Sequence, residues 1–505
     1  MKLIRVVEAS AAVSATSSRV AKRAAIAEIL SAADESETAI LVHWLSGELP
    51  QGRIGVGWRS LLAQREVGSA DIASLTVADV DAHFTTLAGL SGSGSSSARV
   101  SLLGEIFGAA TEPEQQFLVR LISGELRQGA LAGVMADAIA AATNLDAPTV
   151  RRAVMLTGSL AQTAVLARSG GAEALGELRI EVGRPLSPML ASPAESMEAA
   201  YGDLGPDVVI DYKYDGARIQ VHRDGDQVRI FTRTLNEVTE RLADIVAVVR
   251  EFDCKTVILD GETLMLDESG RPRPFQETMS RFGSSGVDAE QKVLRPYFFD
   301  CLHLDGVDLI DKPLAERLEM LERVAPHHRI PSVRPADAQD AQRINGAALE
   351  AGHEGVMVKA LDGIYAAGRR GKTWQKVKPT HTIDLIVLAA EWGSGRRRGW
   401  LSNLHLGARD PNGGAPIMVG KTFKGLTDEL LRWQTTEFLR YETSRDEYTV
   451  YLSPVLVVEI ELDGVQGSSR YPGGVALRFA RVVRYRPDKT AEQADTIDTV
   501  RELRK

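Results

Sequence analysis

Cysteine is nearly absent from this 505-residue chain: Cys254 and Cys301 are the only two. Two thiols cannot build a disulfide framework or a four-cysteine structural zinc site, and they suit a reducing cytoplasm. Long hydrophobic runs are lacking too. The opening MKLIRVVEAS is broken by Lys2, Arg5 and Glu8 before a secretory h-region can form, and no apolar stretch reaches the roughly 18 residues of a membrane helix. The expectation is a cytoplasmic protein that needs no membrane. Positive charge is the third shortage: 59 Lys and Arg face 68 Asp and Glu, a formal net charge of −9 at pH 7. Over the whole chain, that balance argues against a polyanion as partner.

The deficit is uneven. Residues 365–380 hold Arg369, Arg370, Lys372, Lys376 and Lys378; residues 392–409 hold Arg396, Arg397, Arg398 and Arg409; residues 467–487 hold Arg470, Arg478, Arg481, Arg484 and Arg486. None of these windows contains Asp or Glu, so the excess negative charge lies elsewhere. The C-terminal third is predicted to offer a basic lining, with Trp400, Phe479 and Tyr485 interleaved among the cations as polyanion surfaces favour.

Length calls for about three domains, and the chain shows three textures. From Ser17 to Ala167, apolar residues recur three and four apart, as in RAAIAEILSAA, EQQFLVRLISGEL and GVMADAIAAAT, which predicts a bundle of short helices. GLSGSGSSSA near residue 90 reads as a flexible connection, and GRPLSPMLASPAES closes the segment. From Asp207 the period becomes two: VVIDYKYDGARIQVH and QVRIFTRT are joined by an Asp-Gly turn, a hairpin pattern. Strand candidates TVILDGETLML, RPYFFDCLHL, EGVMVKAL and TWQKVKP follow, interrupted by helical AERLEMLERV and DAQRINGAALEAG, which predicts an α+β domain with mostly antiparallel sheet. After Pro379, five short strands with one helix, TDELLRWQTTEFL, predict a small closed barrel of the OB type. The expected domains are therefore residues 1–184, all-α; 185–379, α+β; and 380–505, an OB-fold β-barrel.

The sharpest local feature is KYDGAR, Lys213 to Arg218, where one strand turns into the next. Downstream, LDGE puts Glu262 at a strand end, RPYFFDCLHLDG offers Phe298 and Phe299 before Asp300, EGVMVK carries Glu354 and Lys359, and GKTWQKVKP puts Lys376 and Lys378 two residues apart. The order of these segments resembles the nucleotidyltransferase motifs of the covalent lysyl-adenylate family. With PLSPMLA, the helical N-terminal third and the closing RFARVVRYRPDKTAEQADT, the chain resembles a multi-domain ATP-dependent DNA ligase over nearly its whole length.

That resemblance implies a helical DNA-binding domain, an adenylation (nucleotidyltransferase) domain and an OB-fold domain. It implies an enzyme of DNA replication, repair or recombination that seals nicks in double-stranded DNA near the nucleoid, as a monomer. Lys213 would attack the α-phosphate of ATP. An amine attacks only when unprotonated, so nearby cations such as Arg218, Lys376, Lys378 and a metal would have to disfavour its ammonium form. Glu354 and Glu262 would hold Mg²⁺, with Mn²⁺ as an alternative; for Glu262 the resemblance also offers the ribose in place of the metal. Phe299 would stack on adenine while Phe298 points to the opposite face. Asp211 stands where relatives contact the adenine edge, Arg233 matches a nucleotide or 5′-phosphate contact, and Lys372 stands where relatives often carry Arg, without that residue's bidentate fork. Arg396 and Arg397, with Arg478, Arg481, Arg484 and Lys489 of the final motif, would contact DNA or pyrophosphate. RNA ligases and RNA-capping guanylyltransferases share the lysine chemistry, but ISGELRQG and RPDKTAEQADT favour a DNA ligase.

Overall fold

The computed structural model describes residues 1–504 apart from 65, 66, 127, 130, 131, 269, 270, 274–276, 281–292, 368, 369, 395 and 396. The chain divides into two units, Met1–Val377 and Lys378–Lys505. The sequence reading sets its last boundary after residue 379, and its division at 184/185 falls inside the first unit.

From Leu3 to Gly176 the chain is predominantly helical. Helix starts are set by side-chain oxygens that accept the orphan amides: Ser18 takes that of Ala21, Asp146 that of Thr149 and Ser159 that of Gln162. Thr111 and the buried Glu114 form a reciprocal capping box. The shared core includes Leu3, Val6, Ile26, Phe107, Phe117 and Trp44, the last edge-on to Phe84 at 6.0 Å between centroids. Two expectations need correction. A helix already spans Leu3–Ala15, ahead of Ser17. The Ser-rich segment is only partly a connection, because the helix Ser95–Ala109 begins inside it after the left-handed Gly94; serines are well tolerated in a first turn.

The α+β part of this unit holds two sheets. Strands β1 (Leu190–Pro193), β2 (Val208–Tyr212), β3 (Ala217–Asp224), β4 (Gln227–Thr232), β5 (Thr256–Leu264), β6 (Arg295–Leu304), β7 (Val307–Asp308), β8 (Ser332–Val333), β9 (Val356–Ala360) and β10 (Arg370–Val377) follow in order. One sheet runs β1-β10-β9-β2-β8 and the other β4-β3-β5-β6-β7, antiparallel throughout except for β1 beside β10. The alternating run VVIDYKYDGARIQVH is therefore not one strand. Its halves lie in different sheets, and Lys213–Gly216 is the crossing between them. Gly216 is required there: a Cβ would sit 2.3 Å from the Thr263 carbonyl oxygen of β5.

In the C-terminal unit, β11 (His381–Trp392), β12 (Leu401–Ala408), β13 (Ile417–Thr422), β14 (Glu442–Arg445), β15 (Thr449–Leu452), β16 (Val457–Leu462), β17 (Gly464–Gly467), β18 (Val475–Arg478) and β19 (Arg481–Tyr485) surround a core of Leu385, Leu404, Val419, Leu431, Phe438, Val458 and Ile460. The long β11 pairs with β12 on one side and with β15 and β16 on the other, and β19 extends from β16. This is the expected C-terminal β domain, but no ladder closes it into a barrel among the described residues. Between β13 and β19 the join is irregular: Thr422 Oγ1 donates to the Ala480 carbonyl at 2.5 Å and the Val482 amide to that of Lys424 at 3.0 Å. Gly425 presses against Val482 so closely that a Cβ would lie 2.0 Å from its oxygen. The segment LRFARVVRYR is again two strands, broken where Phe479 takes φ 56°. Among the described residues no helix is long and apolar enough to cross a membrane.

Candidate active site

Lys213 leaves β2 and is stitched to the start of β9. Its amide donates to the Gly355 carbonyl at 2.9 Å, and the Glu354 amide donates back to the Lys213 carbonyl at 3.1 Å. Its neighbours fasten the same corner: Tyr214 stacks on His353 at 4.6 Å between centroids, and Tyr212 packs on His353 at 5.2 Å. The Lys213 ammonium forms an ion pair with Glu354, both side chains about one-fifth exposed. The direct partner of the lysine is thus a carboxylate.

Arg218 is already committed. Its Nε and Nη2 grip Asp260 at 3.0 and 2.7 Å, and Nη1 donates to the Met189 carbonyl at 2.7 Å. Burial opposes its charge, but the Asp260 carboxylate overrides that and raises its pKa. Glu262 lies opposite Arg218 in the β3–β5 ladder. Burial pushes its carboxyl up to about 7, against the pull of Lys213 and Arg218. Lys213, Arg218 and Glu262 therefore share one electrostatic neighbourhood.

The raised Glu262 value has a consequence for stability. A carboxyl with a folded pKa above its unfolded one favours the fold only while protonated, so stability is lost as pH rises from about 4.5 to about 7. The full penalty is at most about 3 kcal/mol. Thermal unfolding of the ligand-free protein at pH 5.5 and 8 should show Glu262→Gln gaining on the wild type at the higher pH; equal differences at both would refute the shifted carboxyl.

Phe299 stands edge-on to Trp374 at 5.9 Å, with Arg218 and Lys359 at 5.5 and 4.6 Å from its ring centre. Phe298 is fully buried in a core with Ile219, Leu259 and Leu318, on the opposite side of β6. Asp211 is 1% exposed and its carboxylate is engaged: Oδ1 accepts the Ser332 hydroxyl at 2.6 Å and Oδ2 lies 2.5 Å from the buried Lys359 ammonium. Arg233 joins Arg218, Pro188, Thr232 and Asp260 around one small pocket. Lys376 faces Met357 in β9, Lys372 is exposed, and β10 ends at Val377, one residue before Lys378. Within the C-terminal unit, Lys378 pairs with Asp463 at 2.7 Å.

The C-terminal cations are paired more than the acid-free windows imply. Arg484 lies 2.8 Å from Glu459 and Arg481 3.8 Å from Glu461, both across the β16–β19 ladder. Lys489 and Arg486 both bind Asp384, at 2.5 and 3.0 Å. Arg397 donates to the Phe423 carbonyl at 2.8 Å, and Arg478 sits at the end of β18, half-buried. Arg396 and Arg369 lie outside the described residues. His353, Asp260 and Trp374 were not among the candidates read from sequence; Lys359 was named there for its place in EGVMVK, with no role assigned.

Family models match three stretches of the chain: the ATP dependent DNA ligase domain over residues 188–378, the ATP dependent DNA ligase C terminal region over 397–489, and the DNA ligase N terminus over 59–140. A probable DNA ligase of Rhodococcus opacus is 61% identical, covering 100% of this chain and 99% of its own length. Another from Saccharopolyspora erythraea is 63% identical, covering 99% of this chain and 97% of its own. Among solved structures, Pmar-Lig_PreS3 matches 95% of this chain and 99% of its own with a TM-score of 0.62 at 20% identity, a likeness of fold.

Proposed function

The chain belongs to the ATP-dependent DNA ligase family, and from that premise we propose that Lys213 carries AMP between ATP and the nick. Its Nζ gives up a proton and attacks the α-phosphorus; an N–P bond forms as the bond to pyrophosphate breaks. An oxygen of the 5′-phosphate then displaces the lysine, and the 3′-hydroxyl finally displaces AMP to make the phosphodiester. The observation that carries this reading is the Lys213–Glu354 pair, held at the crossing of two sheets with Glu262 and Arg218 acting on the same spot. Phe299 supplies an aromatic platform for adenine, and Arg233 and Arg218 supply cations for phosphate oxygens.

Glu262 and Glu354 offer only oxygen donors, which fits Mg²⁺ or Mn²⁺ held mostly by phosphates. Glu354 and Glu262 would hold such an ion, and its charge would offset that of the phosphates. The partner is nicked duplex DNA in the cytoplasm, gripped through phosphates and shape by a monomer with no sequence reading. Incubation with α-labelled ATP and Mg²⁺ should put label on the polypeptide, and nicked DNA should then discharge it as sealed product. Sealing of nicked RNA with none of DNA would overturn the choice of substrate.

Phosphate binding also fixes the salt response. Three neutralised phosphates would cost on the order of 40-fold in affinity between about 50 and 200 mM salt. Nick binding by fluorescence anisotropy should fall at least that steeply, whereas a flat response would restore the objection raised by the net charge of −9.

A further inference from the structure

The three bonds that hold Arg218 belong to a closed ring. Arg218 Nη1 donates to the carbonyl of Met189, whose own amide donates to the Tyr365 hydroxyl at 3.1 Å. That hydroxyl donates to Asp260 Oδ2 at 2.6 Å, and Asp260 returns to Arg218 through its bidentate grip. Tyr365 lies between β9 and β10, is 2% exposed, and sits 105 residues from Asp260 along the chain. It is anchored without help from Arg218: its amide donates to the Ile310 carbonyl at 2.9 Å, and its ring meets Trp374 edge-on at 6.1 Å. Behind the ring, Arg317 lies 5.9 Å from its centre and donates to the Gly363 carbonyl in the same loop at 2.9 Å.

We infer that Tyr365 is a positioning residue for the nucleotidyl-transfer site: its hydroxyl fixes the Asp260 carboxylate that aims Arg218. The argument is one of donor geometry. A guanidinium has five N–H groups in a rigid fork. The ring occupies three of those of Arg218, so the two that remain point wherever the ring holds the plane. An Asp260 carboxylate fixed from one side only by Arg218 would swing with it. The Tyr365 hydroxyl, borne on a separately anchored ring, stops that motion, and Met189 closes the remaining side. A charged group preorganised in this way is not reoriented during the reaction. This inference rests on the reading that Arg218 serves transfer at Lys213.

Tyr365→Phe keeps the ring and its contacts while deleting the hydroxyl. Single-turnover labelling with α-labelled ATP at saturating nucleotide is expected to slow by about tenfold or more, with the melting temperature shifted by only a few degrees. In an Arg218→Ala background the same substitution should cost nothing further, because the residue acts through Arg218; a purely structural role would give the same fold loss in both backgrounds. Wild-type labelling with an equal rate in Tyr365→Phe, or equal losses in the two backgrounds, overturns the inference alone. No label on the wild type overturns the reading of Lys213 and this inference together.

Discussion

Lys213→Ala should take no label from α-labelled ATP, a loss of at least about a thousandfold, while still sealing a nick whose 5′-phosphate already carries AMP. The two outcomes belong together. Forming the N–P bond needs a nucleophilic nitrogen at this position, and the Lys213 ammonium is held there, paired with Glu354 at the crossing of the two sheets. The last step, attack by the 3′-hydroxyl, uses groups of the DNA and the phosphate-binding cations, not the lysine. Lys213→Arg should fail as completely as alanine, because a guanidinium stays protonated and cannot attack. The loop should survive both changes: the backbone bonds of Lys213 to Gly355 and Glu354 and the stacking of Tyr214 on His353 do not involve the side chain. Denaturing gels of labelled protein, beside a sealing assay on pre-adenylated nicks, read both. Equal labelling of wild type and Lys213→Ala would assign the nucleophile elsewhere.

Lys213, Glu262 and Glu354 could be named from the sequence because each sits in a short contiguous segment, and the order of those segments carries the resemblance. Their supports could not be placed. Tyr365 reaches Asp260 across 105 residues and has no signature of its own; EGVMVK points to Lys359, but its pairing with Asp211 appears only when β2 and β9 are side by side. The alternating pattern has the same blindness. The apolar phase slips by one residue at both breaks, from Tyr212 and Tyr214 to Ala217 and Ile219 and from Leu477 and Phe479 to Ala480 and Val482, but such a slip reads equally as a bulge within one sheet and does not show that the chain leaves it for another. Charge windows fail for a related reason. Arg481 and Arg484 stand in a window, 467–487, without Asp or Glu, yet Glu461 and Glu459 stand opposite in the β16–β19 ladder. Both arginines remain more than half exposed, so they can still meet phosphate, but the basic surface is weaker than an acid-free window implies.

One clue of this kind was in plain view and leads to the largest stability effect expected. In the helix Leu314–Val324, the buried face is Leu314, Arg317, Leu318, Leu321 and Val324, which puts an arginine at a core position. Its guanidinium and the Asp300 carboxylate are both fully buried, joined by bonds of 2.7 and 3.0 Å. Arg317 also donates to the carbonyls of Lys312 and Gly363 at 2.6 and 2.9 Å. Such a pair adds little over a well-packed apolar alternative, but removing one member strands a charge in the interior at about 3–5 kcal/mol. Arg317→Met should therefore lower the melting temperature of the first unit by roughly 5 °C. Adding Asp300→Val should recover part of that loss by removing the orphaned carboxylate, though not all, because the Lys312 and Gly363 carbonyls stay without their donor. Calorimetry of the full chain separates the cases. A shift under about 2 °C in Arg317→Met would mean that the buried pair does not hold the loop on which Tyr365 is carried.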